Sequence, residues 1–380
     1  MFNKIAAIAS TVTATSLHGW SKPLRIAAFF AVCVCATSTA GAQWTITALG
    51  DLPGGNNSSH ALGINNAGQV VGNSEAATGA RAFIWQNGAM TDLGDLPGGG
   101  DFSYAVGIND AGQVVGASYA ATGTRAFMWQ NGAMTDLGDL PGGNNYSDAR
   151  GINNAGQVVG VSDADTGYRA FLWQNGAMTN LGYLPAGSGS SYAYGINNAG
   201  QVVGYSEAAT GARAFIWQNG VMTNLGDLPG GNDYSEARSI NNAGQVAGAS
   251  DTASDRRAFL WQNGVMTNLG ELPVTNFSRA YGINNEGQVV GNSGDRAFLW
   301  QNGVMTDLNT VSGVAGTGWS LTNATAINDA GQIVGYGTDP QGVVGSAFIL
   351  TPVPEPEVYL IMGVGVCLAG VIARRRKNIG

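Results

Sequence analysis

The chain has 380 residues, 59 of them glycine, roughly twice the ordinary share, and only 11% are charged, where an average domain has about 25%. That composition excludes a highly charged disordered chain, and collagen is excluded because glycine does not recur at every third position. Between Gln43 and Pro352 stand ten arginines, no lysine and 23 acidic residues, a balance of −13; a body this acidic lacks the basic patch that nucleic acid requires, so nucleic acid is excluded as a partner.

From the N-terminus, Lys22 and Arg25 precede the apolar run Ile26–Ala36, and small residues then lead to Ala40-Gly41-Ala42. A basic region, a short apolar stretch and an A-x-A site make residues 1–42 a secretory signal peptide, cut between Ala42 and Gln43. Eleven apolar residues are too few to cross a bilayer. Val32 and Val34, directly before Cys33 and Cys35, stand where a lipoprotein signal needs a small residue.

Residues 43–352 read as one unit repeated seven times. The phrase G-I-N-N-A-G-Q-V-V-G starts at Gly63 and returns at Gly107, Gly151, Gly195, Ser239, Gly282 and Ala326, at intervals of 44, 44, 44, 44, 43 and 44. A second phrase, R-A-F-x-W-Q-N-G, centres on Phe83, Phe127, Phe171, Phe215, Phe259 and Phe298, with a worn copy at Ala347–Leu350, and a third, M-T-x-L-G-x-L-P, follows each Q-N-G, reduced after the last to Met305-Thr306-Asp307-Leu308. Asn87-Gly88 is the dipeptide of a type I′ hairpin turn, so Phe83, Trp85 and Met90 share one face of a strand pair and Ala82, Ile84 and Leu93 the other. Gly112 suits the left-handed position of a three-residue bulged turn in the other hairpin. Four short strands per 44 residues predict an all-β fold, a seven-bladed β-propeller. The chain enters at Thr45–Gly55 with the third phrase alone and leaves at Ala347–Leu350 with the second phrase alone. The N-terminal strand is therefore predicted to complete the last blade, which leaves no free sheet edge at the closure.

These phrases resemble the HAF-repeat family of extracellular bacterial proteins over essentially the whole body. The family's His-Ala-Phe stands here as Arg-Ala-Phe in six copies and Ser346-Ala347-Phe348 in the last. The resemblance implies an extracellular repeat protein and supplies no catalytic residues.

Residue chemistry points the same way. The three cysteines (Cys33, Cys35, Cys367) are terminal and His60 is the one histidine of the body, so no metal site of several His or Cys ligands and no thiol nucleophile can be built there. Without a G-x-S-x-G motif, His60 reads as a loop residue, and no catalytic residue is assigned. Trp85 and its copies read as filling between blades rather than as sugar-stacking platforms. Arg81, Arg125, Arg169, Arg213, Arg257 and Arg296 recur once per copy; a ring of six could hold an anionic polymer, but pairing with acids such as Asp92 or Asp95 is the favoured reading. No cofactor is assigned. Asp163–Gly167 is the nearest approach to a calcium loop, yet lacks a third ligand and a distal glutamate, which leaves Ca²⁺ a weak bridge on an acidic surface.

At the C-terminus, residues 353–380 hold Val353-Pro354-Glu355-Pro356, the apolar run Val358–Ala373 and Arg374-Arg375-Arg376-Lys377. A motif, a short apolar helix and a basic tail in this order closely resemble the PEP-CTERM sorting signal of Gram-negative bacteria. The resemblance implies transient anchoring in the inner membrane by that helix, processing by an exosortase-type enzyme and delivery to the cell envelope or outside. The function expected is thus a non-enzymatic binding or structural protein of the envelope or matrix, engaging exopolysaccharide or a surface protein. The alternative is a secreted polysaccharide hydrolase or lyase using a carboxylate pair in a propeller cleft.

Overall fold

The turns dictate the hairpins. Asn87 and Gly88 take φ of +52° and +82°, the pair of positive values a type I′ turn demands, and every later Asn-Gly does the same. Around that turn Ile84 pairs with Thr91 and Trp85 with Met90, as the sequence predicts. In the other hairpin the Gly112 amide donates to the Asn109 carbonyl and Gly112 has φ +75°, which closes a three-residue loop.

The computed structural model describes residues 43–187 and 189–354; the predicted signal segment with Ala40 and Ala42, and the predicted helix Val358–Ala373 with Glu355, Pro356 and the arginine cluster, lie outside the described residues. Strand β1 is Gln43–Ala48, and blade 1 follows as β2 (Ser59–Ile64), β3 (Val70–Ala76), β4 (Gly79–Gln86) and β5 (Ala89–Asp92). The pattern repeats to give seven four-stranded antiparallel sheets in strictly sequential order, with the exception of the last. There β1 pairs with Val344–Val353, setting Ile46 opposite Leu350 and Ala48 opposite Phe348, and completes blade 7. Val353, predicted to open the sorting segment, is the last residue of that strand and pairs with Gln43. The one helical turn among the described residues, Leu308–Thr310, leads from blade 6 to blade 7.

The core lies between blades. Trp85 and Met90 pack with Val70 against Val334, Ala347 and Ile349 of blade 7, while Val71, Ala82 and Leu93 pack against Val114 and Phe127 of blade 2. Each blade is apolar on both faces because each face is a neighbour's core. Phe83 and its six equivalents are fully buried, and removing one such ring costs about 3–5 kcal/mol. Gly72 makes room for that ring: a Cβ there would stand 1.9 Å from the His60 carbonyl and 3.0 Å from Phe83.

Buried polar groups rivet the blades together. The Ser103 hydroxyl accepts from the Ala82 amide at 3.0 Å and donates to the Gly94 carbonyl at 2.6 Å, fastening blade 2 to blade 1, and the other serines of its column do likewise. Asn65 donates through Nδ2 to the Asn109 carbonyl of the next blade at 3.0 Å. Asn109, Asn153, Asn197, Asn241, Asn284 and Asn328 repeat the bond, the last returning to the Asn65 carbonyl at 3.0 Å. This hydrogen-bonded circuit closes around the axis.

Candidate functional site

Each innermost strand carries a one-residue β-bulge. In β2, Ala61 faces Gly72 and Gly63 faces Val71, so Leu62 has no partner across the sheet. The same shift frees Val106, Arg150, Tyr194, Arg238, Tyr281 and Thr325. A bulge re-aims the extra side chain. Here the seven bulged residues line one axial cavity of about 530 Å³, the size of an ordinary small-ligand site. At Gly63 the strands approach so closely that a Cβ would lie 2.6 Å from the Val106 carbonyl, whereas Ser239 and Ala326 fill the same place in blades 5 and 7.

The seven bulged residues differ although their surroundings repeat. Leu62 and Val106 are apolar, whereas blades 3 to 6 supply Arg150, Tyr194, Arg238 and Tyr281 in succession. Tyr194 lies between two guanidinium groups, with Arg238 4.4 Å and Arg150 5.9 Å from its ring centroid. Arg150 pairs with the buried Asp148 at 2.5 Å and Arg238 with Glu236 at 2.8 Å, both partners standing two residues earlier on the same strands. Burial pushes the Asp148 carboxyl upward, opposed by the adjacent Arg150. Tyr234 donates to Glu236 at 3.0 Å, and burial, with Glu236 beside it, pushes its phenol up to about 12. Arg279 also lines the cavity, its guanidinium 6.0 Å from the Phe277 ring centroid, and makes no ion pair within 4.0 Å among the described residues. Three arginines against two acids leave the wall with a net positive charge inside an acidic body.

The six repeated arginines are used differently. Arg81 binds Asp95 at 2.7 Å and Asp101 at 2.6 Å; Arg125 pairs with Asp139, Arg213 with Asp233, and Arg257 with Asp255 and Glu271 at 3.1 and 3.0 Å. Arg296 pairs with Asp307 at 3.1 Å, and Arg169 lies 4.9 Å over the Tyr183 ring and bonds Thr166. The side chains of Arg81, Arg125, Arg213 and Arg257 are 9–12% exposed, against 34% for Arg150 and 29% for Arg238. They tie loops down between blades and do not line the axial cavity.

One expectation changes. His60 is a strand residue, within β2, with its ring 4.3 Å edge-on to Tyr336. Singular polar residues are gathered across copies, one per blade, by the bulged column. Asp163 accepts from the Asn144 amide at 3.3 Å, and among the described residues no three His, Cys, Asp or Glu are gathered to hold a metal.

Fold and cavity define a class: a seven-bladed propeller of near-identical blades around an asymmetric axial site. Residues 352–377 match the PEP-CTERM protein-sorting motif, which marks the chain as exported, sorted at the membrane and processed by an exosortase-type enzyme. No curated protein matches the sequence. Among solved structures the chain is similar to TolB from Acinetobacter baumannii (10% identity, TM-score 0.41), covering 73% of this chain and 60% of that one. It is similar also to dipeptidyl peptidase 4 of Porphyromonas gingivalis (10%, TM-score 0.39; 78% of this chain, 50% of that one). A third is the PQQ-bound aldose sugar dehydrogenase of Streptomyces coelicolor (11%, TM-score 0.37; 82% and 98%). This chain thus spans 60% and half of the lengths of the first two. Among the described residues no helix is long and apolar enough to cross a membrane.

Proposed function

We propose that the protein is an exported, non-enzymatic binding module of the cell envelope or extracellular matrix, and that its axial cavity holds an extracellular polysaccharide rather than a surface protein. One observation carries this reading: the three arginines of the cavity wall are singular, and two of them keep about a third of their side chain open while remaining positioned by their own acids. A partly exposed guanidinium fixed by a carboxylate suits recognition of an anionic group. The repeat phrases support placing residues 43–352 in the HAF-repeat family. After sorting, the ligand would be met outside the inner membrane, where matrix polymers are the abundant anions.

The hydrolase or lyase reading finds its nearest acids in Asp148 and Glu236. Their side chains are 0% and 4% exposed and each is held by its own arginine, which favours a positioning role over proton transfer to a ligand. The test incubates the purified protein with acidic and neutral polysaccharides, with and without Ca²⁺, and measures retention and new reducing ends. Retention without reducing ends is expected. Reducing-end release that Asp148→Asn or Glu236→Gln abolishes overturns it.

A further inference from the structure

Tyrosine is distributed in this molecule unlike any other aromatic residue. Phe and Trp hold the constant positions of the repeat except at Trp44, Phe102, Phe277 and Trp319, whereas the eleven tyrosines of the body all fall where the copies differ. Five of them form a continuous strip from the surface to the cavity. Tyr168, 39% exposed, contacts Tyr146 at 5.5 Å and Tyr192 at 5.8 Å between ring centroids. Tyr192 stacks on Tyr205 at 4.7 Å with planes 13° apart, and Tyr205 lies 6.0 Å from Tyr194, the residue held between Arg150 and Arg238. Arginine follows the same asymmetry: the four that stand outside the repeated position (Arg150, Arg238, Arg256 and Arg279) belong to blades 3, 5 and 6, around the blade that carries Tyr192, Tyr194 and Tyr205.

We infer that this strip is the entry track of the axial site and that the ligand is an acidic oligosaccharide of several residues, its charged end against the cavity sides of Arg150 and Arg238 and its following residues along Tyr194, Tyr205, Tyr192 and Tyr168. The inference rests on the axial cavity being the ligand site. Rings packed on one another are held in place before any ligand arrives, so little side-chain entropy is lost on binding. Tyr146, Tyr192, Tyr194 and Tyr205 are part-buried and Tyr168 is the exposed end of the strip. Burial pushes the Tyr192, Tyr194 and Tyr205 phenols upward, so they remain donors at neutral pH. An isolated sugar acid would need the cavity alone; a track of five aromatic rings is useful only to a chain.

Isothermal titration of the purified full chain with galacturonic acid and its oligomers of two to six residues tests this, with an oligoglutamate peptide in parallel. Affinity should rise about tenfold or more from monomer to tetramer. Tyr168→Ala should remove most of that gain, and Tyr168→Phe should retain it. The paired variant E236Q/R238M, which leaves no buried charge unpartnered, should abolish binding of every length. Affinity independent of length, with the E236Q/R238M loss intact, overturns the track and leaves the cavity reading standing. No saccharide binding at any length overturns both, and tighter binding of oligoglutamate overturns the saccharide class. A melting temperature matched to the parent chain certifies each variant as folded.

Discussion

His60 shows how a residue isolated in composition becomes informative by where it sits. It occupies the strand next to the axis, edge-on to Tyr336, and burial holds its pKa below the ordinary 6.5, with Glu75 opposing weakly. The sign follows from linkage. As pH falls through about 6.5 the unfolded chain takes up the proton first, so the folded state loses stability progressively until its own depressed value is passed. Denaturant midpoints measured from pH 7.5 to 5 should fall with pH more steeply in the parent chain than in His60→Gln. Equal slopes would show that His60 is open to water.

At the scale of the element, the bulged hairpin and its asparagine do two tasks at once. Asn197 uses its whole hydrogen-bonding capacity: Nδ2 donates to Gln201 Oε1 and to the Asn241 carbonyl, and Oδ1 accepts from the Ala199 and Gln201 amides. It shapes the turn that ends the bulged strand and binds that strand to the next blade. Asn197→Ala leaves buried partners unsatisfied and should cost about 1–3 kcal/mol by chemical denaturation. Asn198→Ala, one residue on and exposed, loses only a solvent-accessible bond from the Asn154 amide and should cost less, about 0.5 kcal/mol. The sequence carried the turn chemistry and the strand count plainly, because Asn-Gly pairs and period-two patterning are local. It carried the two-faced hairpin too, since Phe83, Trp85 and Ile84 announce a sheet covered on both sides. What it hid was the bulge. A one-residue shift in pairing has no local composition, and the residue it frees is the one that varies, so Arg150, Tyr194 and Arg238 look like noise in a repeat. Comparing the copies column by column at the residue before G-I-N would have exposed them.

For the molecule as a whole, closure is the property on which the site depends. The cavity wall needs all seven inner strands at fixed angles, and the asparagine circuit is completed by the single return from Asn328 to Asn65. That return is held by β1, which is far from blade 7 in sequence and lies beside Val344–Val353 in space. The last strand cannot find its partner until the chain is made to Val353, so the ring closes late, and the pairing of Gln43 with Val353 sets the predicted signal cleavage point beside the start of the sorting motif. Deleting residues 43–49 should therefore do more than remove one strand. It exposes the edge of Val344–Val353, which invites pairing with another copy, and removes Trp44 from its contact with Leu308, Val314 and Leu350. The shortened chain should unfold at lower temperature in a broader transition and run partly as dimers or larger species in size-exclusion chromatography. Loss of saccharide retention should accompany that change, although the deletion touches no residue that lines the cavity. A monomer with the parent's melting temperature and undiminished retention would mean that the remaining three strands of blade 7 suffice to hold the ring shut.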